Sequence, residues 1–215
     1  MNDFSRLYPG KENKLFSSIT LKNEEIIKYA SLKLRKIRDQ DTRTKIANII
    51  ALVDVDEPET SSNVALMLLA YVINISPARK IKGKPAWKPS RAEVCDGYIS
   101  QAASEADVTN KIIQKKENLQ KLGRTVQPYV IFVGPTVTEV KVAYVLINDT
   151  LYSFNKLVTA VDCAFKIFQS IGACYPEEAG DIWLFIQLGF YDIKTKFDRP
   201  TQAVNTLLTD LELIL

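Results

Sequence analysis

The residues of this chain that could do chemistry are carboxylates, lysines, arginines, tyrosines, serines and three cysteines; it has no histidine. That absence removes serine–histidine and cysteine–histidine nucleophile pairs and every histidine-containing zinc site. The cysteines Cys95, Cys163 and Cys174 show no CxxC spacing and are too few for a four-cysteine site. Neither a GxxxxGK[ST] loop nor a GxGxxG turn occurs, so phosphate cradling of those kinds is excluded. Carboxylate chemistry survives. Glu139-Val140-Lys141, placed on a strand, is half of a nuclease-type metal site, but no acidic residue lies between Gln127 and Thr138 to complete it. Asp54, Asp56, Glu57 and Glu59 are dense in oxygen ligands, yet they lack the glycine and the loop of a calcium site and read as an acidic turn. The expectation is a protein that is not an enzyme, with no cofactor and no metal.

The strongest positive signal is a cationic strip. Arg79, Lys80, Lys82, Lys84, Lys88 and Arg91 have no acid among them, and Trp87 lies inside the cluster. Such a strip can follow a phosphate backbone and stack a base on the indole; it can also dock an acidic protein face, or serve only as a solvated linker. The helix that follows adds Lys115 and Lys116, with Lys111 and Lys115 on one face. Charge is unevenly spread along the chain. Residues 1–126 hold 22 Lys/Arg against 15 Asp/Glu, and residues 127–215 hold 6 against 10, so the two parts differ in sign.

These residues need elements to position them. Scarce glycine argues against an all-β sandwich or barrel. Residues 1–20 read as an extended arm, followed by a helix opening at Asn23 with the stripe Ile26, Ala30, Leu34, Ile37. Asp41 is the expected cap of the next helix, and Ser61 or Ser62 of a third that is apolar all round and therefore central. Residues 76–89 hold Pro77, Gly83, Pro85 and Pro89 and break the helical pattern. Ser90 and Glu93 have capping-box spacing, and a helix over 107–122 ends at Gly123. After Gly123 the period changes. Tyr129–Val133 is a strand, Lys141–Phe154 a hairpin turning at Asn148-Asp149, and Asn155, Glu177 and Pro200 open three further helices.

The order Tyr144-Val-Leu-Ile-Asn-Asp-Thr-Leu-Tyr152, Ala160-Val-Asp-Cys-Ala-Phe-Lys166, Tyr175-Pro-Glu-Glu178 and Asp181-Ile-Trp-Leu-Phe-Ile-Gln187 resembles a domain of uncharacterised proteins multiplied in animal genomes and associated with mobile elements. The resemblance covers residues 127–213 and implies a nucleic-acid-associated or assembly role, with no site residues to carry over.

The expected fold is therefore mostly α within the α+β class. A helical N-terminal lobe (1–75) is followed by a basic proline-rich connector (76–90), a helical segment (91–126) and a C-terminal lobe (127–215) with a β-hairpin or three-stranded sheet packed on helices. The expected function is non-catalytic binding of RNA or DNA, nucleocapsid-like, through Arg79, Lys80, Lys82, Lys84, Trp87, Lys88, Arg91, Lys115 and Lys116. The alternatives are a protein-interaction or self-assembly module, forming homo-oligomers or binding a protein partner, and a carboxylate-dependent nuclease. With no signal peptide and no long apolar run, a membrane is not expected as partner and the expected location is the cytoplasm or nucleus.

Overall fold

The computed structural model describes residues 2–54, 57–75, 82–83 and 86–213. The class is α+β, with a helical N-terminal part and a small sheet. The helices are α1 (Asn2–Leu7), α2 (Lys14–Leu34), α3 (Gln40–Ile50), α4 (Pro58–Val72), α5 (Arg91–Tyr98), α6 (Glu105–Lys121), α7 (Leu157–Ile171), α8 (Gly180–Phe185) and α9 (Gln202–Asp210). The strands are β1 (Ile99–Ala102), β2 (Tyr129–Val133), β3 (Val142–Ile147) and β4 (Thr150–Phe154).

Helix α4 is central, as its uniform apolarity requires: Val64, Ala65, Leu66, Leu68 and Leu69 have no exposed surface, and α2, α3, α5 and α7 pack around it. Residues 1–20 are not an arm. They form α1 and the start of α2, and Phe4, Leu15 and Ile19 are buried. Asn23 does not open a helix; it lies inside α2, buried, with its amide 3.5 Å from the Ser62 hydroxyl. Asp39 rather than Asp41 caps α3, and α4 begins at Pro58, ahead of Ser61 and Ser62.

The sheet has four strands in the order β1-β2-β3-β4. The fourth strand arises where a helix was expected to continue. Ile99–Ala102 leaves α5 and pairs parallel with β2, Ile99 opposite Val130, while β2, β3 and β4 pair antiparallel. One face, with Tyr129, Ile131, Val133 and Leu146, packs on Val108 and Ile112 of α6. The other, with Val130, Phe132, Ala143 and Val145, joins the main core with α7. Strand β2 is thus covered on both faces, which explains its unbroken apolar run.

Asn155 is not the cap of α7; Lys156 holds that position, and the helix ends at Gly172 with φ 63°. The helix expected from Glu177 begins at Gly180 and changes after Phe185 to a π-helical turn, Ile186–Phe190. The helix expected to open at Pro200 begins at Gln202, capped by Thr201, whose hydroxyl accepts from the Val204 N–H. Ile19 and Ile26 of α2, Leu66 of α4, Val161 of α7 and Trp183 of α8 belong to one continuous hydrophobic cluster. Among the described residues, no helix is long and apolar enough to cross a membrane.

Candidate functional site

Two sets of carboxylates were candidates for metal chemistry. Glu139 lies in the loop between β2 and β3, not on a strand, and accepts a hydrogen bond from the Thr136 hydroxyl (3.3 Å). Asp149 sits in the turn at the far end of β3, about 20 Å away for six strand residues at about 3.3 Å each. It pairs with Lys116 instead. In the acidic turn, Glu57 accepts from Thr60 (3.1 Å) and Glu59 pairs with Lys156 (2.6 Å), while Asp56 lies outside the described residues. Among the described residues no group of three or more Cys, Asp or Glu is placed to hold a metal ion.

The cationic residues divide into two populations. The first is bound within the protein. The Arg91 guanidinium donates to the carbonyl oxygens of Ala70 and Ile73 (2.9 Å to the latter), satisfying the orphan end of α4. Lys115 is 9% exposed; its ammonium lies 2.7 Å from Glu178, 3.6 Å from Asp96 and over the Tyr129 ring. Lys111, on the same face of α6, reaches Asp96 at 3.5 Å. Burial acts to raise the Asp96 carboxyl, but Lys115, the Ser100 hydroxyl and Lys111 outweigh it and hold Asp96 below its ordinary value. Glu178 reaches this cluster by passing over Gly97 of α5, where any Cβ would lie 2.1 Å from its Cγ.

Trp87 stands at the edge of the same cleft. A cavity of about 170 Å³ is lined by Trp87, Glu93, Asp96, Lys111, Lys115 and Glu178 among others. The indole N–H donates to Glu93 (3.3 Å), and Arg124 stacks on the ring while gripping Glu177 (2.9 Å). The connector end and α6 do lie side by side, then, but three carboxylates oppose the lysines between them. Lys116 is exposed and pairs with Asp149 at 2.5 Å. Lys11–Asp192, Lys115–Glu178, Lys116–Asp149 and Arg124–Glu177 all join the basic part of the chain to the acidic part. Much of the charge difference seen in the sequence is thus satisfied inside one molecule.

The second population has no ion-pair partner among the described residues. Lys82 and Lys88 are exposed, and Arg79, Lys80 and Lys84 lie outside the described residues. Sequence reasoning missed a further set, the exposed Arg35, Lys36, Arg38 and Arg43 at the corner between α2 and α3. Its position is fixed by its neighbours. Lys33 donates to the Val72 carbonyl (2.6 Å), beside the carbonyls held by Arg91, and Arg91 and Lys36 both act on its charge, as does Asp210 with opposite sign. Helix α3 packs on both α2 and α4. The corner therefore packs at the end of α4, where the chain departs toward the connector. The clue in the sequence was the run of cations from Lys33 to Lys45, interrupted only by Asp39 and Asp41.

A concavity of about 940 Å³ lies between the end of α7, the start of α8 and residues 195–201. Its polar groups bond to one another. Tyr8 donates to Gln169 (3.1 Å), Gln169 to Tyr175 (2.7 Å), Tyr175 to Gln187 (2.8 Å) and Gln187 to Asp198 (2.9 Å). Exposed Cys174 lines it, with no base placed against the thiol by any of these bonds. Comparison of the chain with protein families, with curated proteins and with solved structures gives no match.

Proposed function

We propose that this protein is a non-catalytic, nucleic-acid-binding protein that holds the phosphate backbone between its basic connector and the α2–α3 corner. The observation that carries this reading is a set of exposed cations with no ion-pair partner among the described residues, on the α2–α3 corner and on the connector. Arg35, Lys36, Arg38 and Arg43 sit at the end of α4 from which the connector, with Lys82 and Lys88, departs. Arg79, Lys80 and Lys84 add charge to the same strip of sequence. Arg91 and Lys115 serve this reading as supports, since their charges are committed to α4 and to Glu178. Binding then rests on phosphate neutralisation and counterion release, without sequence preference. The resemblance of residues 127–213 to a mobile-element-associated domain supports the same assignment.

The test is a fluorescence titration with labelled 30-nucleotide RNA and DNA strands across a salt series. Affinity should fall steeply with salt. Replacing Arg35, Lys36, Arg38 and Arg43 by glutamine should reduce the log–log slope by about 3, at roughly 0.7 per lost contact on a single strand. No binding at 50 mM salt, a condition under which phosphate contacts are strong, would overturn the proposal.

A further inference from the structure

The cationic elements hold their aromatic rings in contacts of their own. Trp87 is the one aromatic between residues 76 and 91, and residues 35–43 contain none. The Trp87 ring is half-buried under the Arg124 guanidinium, 4.9 Å from its centroid, and its N–H is given to Glu93. The ring also borders the cleft of about 170 Å³ whose lining includes Asp96 and Glu178. A nucleotide entering there would set its phosphate against carboxylates. Beside the α2–α3 corner, Tyr29 lies under the Lys33 ammonium, 5.2 Å from the ring centroid, and is half-buried. Among the described residues the exposed aromatics are Tyr152, on β4, and Phe197, next to Asp198, and neither belongs to the corner or the connector.

We infer that the favoured ligand is a nucleic-acid duplex held by its phosphates, in preference to a single strand; this rests on the nucleic-acid-binding function proposed for the chain. Two effects compete. Each phosphate contact releases about 0.9 counterion from a duplex and about 0.7 from a single strand. For the four corner cations Arg35, Lys36, Arg38 and Arg43, the slopes of log affinity against log salt then differ by about 0.8. Between about 1 M salt, where this contribution vanishes, and about 50 mM, that difference amounts to about tenfold in favour of the duplex. The two carboxylates at the corner are themselves engaged, Asp39 with the Thr42 N–H and Asp41 with Lys45. Stacking acts the other way. One base laid on an aromatic ring strengthens a single-strand complex by about five- to 140-fold. A single stacked base would therefore offset most of the duplex advantage or reverse it. A duplex cannot offer that contact, because its bases are already stacked on one another. With Trp87 engaged by Arg124 and Glu93, and Tyr29 by Lys33, stacking contributes little and charge decides.

Anisotropy titrations of the full chain test this, with a labelled 30-base-pair DNA duplex, each of its strands alone, and the corresponding RNA duplex and strands. At 50 mM salt each duplex should bind at least about tenfold tighter than its own strands, with a salt dependence about 1.3 times as steep. Replacing Arg35, Lys36, Arg38 and Arg43 together by glutamine should lower the duplex-to-strand ratio about tenfold. All four are exposed, so the fold should survive, as thermal melts would show. Emission from the two tryptophans, Trp87 and the fully buried Trp183, gives an independent readout. A base stacked on an indole quenches it, so strand binding should leave the emission unchanged. Strands that bind as tightly as duplexes, quenching on addition of strands, or a ratio unmoved in the variant would overturn the duplex preference while leaving nucleic-acid binding in place. Failure of every duplex and strand to bind at 50 mM salt would overturn the underlying function, and the preference with it.

Discussion

Replacing Lys115 with methionine separates its two possible roles. The substitution keeps the length of the side chain and removes its charge. Glu178 would then be left with 3% of its side chain exposed and without the ammonium 2.7 Å away. Losing one partner of a buried pair typically costs about 3–5 kcal/mol. Asp96, with 37% of its side chain exposed, can recover hydration, so the lower figure applies. For a chain of this length about 3 kcal/mol corresponds to a fall in Tm of roughly 6–12 °C. The double variant Lys115→Met/Glu178→Leu removes both charges and should recover most of the loss, because an apolar pair of similar volume replaces a buried ion pair at little cost. Calorimetry measures the melts. RNA titration well below the Tm should show the Lys115→Met variant binding within about twofold of wild type, since a charge enclosed by carboxylates contributes no released counterion. An unchanged Tm, or a salt slope reduced by about 0.7, would refute the reasoning and return Lys115 to the phosphate contacts.

Three other outcomes are expected. Gly97→Ala should destabilise the protein by about 1–3 kcal/mol in chemical denaturation, although alanine normally gains about 1 kcal/mol over glycine in a helix, because the new methyl collides with Glu178. Arg91→Ala should cost about 2 kcal/mol in the same assay, through two lost charge-assisted bonds to the end of α4, and should leave nucleic-acid affinity unchanged. Alkaline titration followed at 295 nm should show tyrosine ionisation coinciding with unfolding. Burial pushes Tyr29 up to about 12 and raises Tyr71, Tyr98, Tyr129 and Tyr175 as well. Groups raised above their unfolded value of about 10 contribute stability that is full below that pH and is lost as pH climbs past 12.

What was legible in the sequence was local. The capping box at Ser90 and Glu93, the hairpin around Asn148-Asp149, the apolar α4 and the terminator Gly123 each rest on residues a few positions apart. The misreadings share a cause. The buried stripe of α2 runs Leu15, Ile19, Asn23, Ile26, Ala30, and the polar residue in its middle looked like a beginning when it is a contact with α4. Ile99–Ala102 is a strand because β2, thirty residues on, offers a ladder; nothing within the segment says so. The candidate site behaves in the same way. Which lysines are free depends on carboxylates distant in sequence: Glu178 claims Lys115 across 63 positions and Asp149 claims Lys116 across 33. A helical glycine beside Asp96 and paired glutamates after Pro176 were the traces of that arrangement in the sequence.

The docking of α1 has a consequence for how the protein is made. Phe4 packs edge-on against Phe165 and Tyr191, and Lys166 lies over its ring. None of these partners exists when Phe4 leaves the ribosome. At about 5–20 residues per second, roughly 10–40 s pass before Tyr191 is joined to the chain. Throughout that interval Phe4, Leu15 and Ile19 remain without their final surroundings. Helix α1 thus cannot be seated until residues far later in the chain have been made, and until then the nascent chain carries an exposed apolar segment around Phe4.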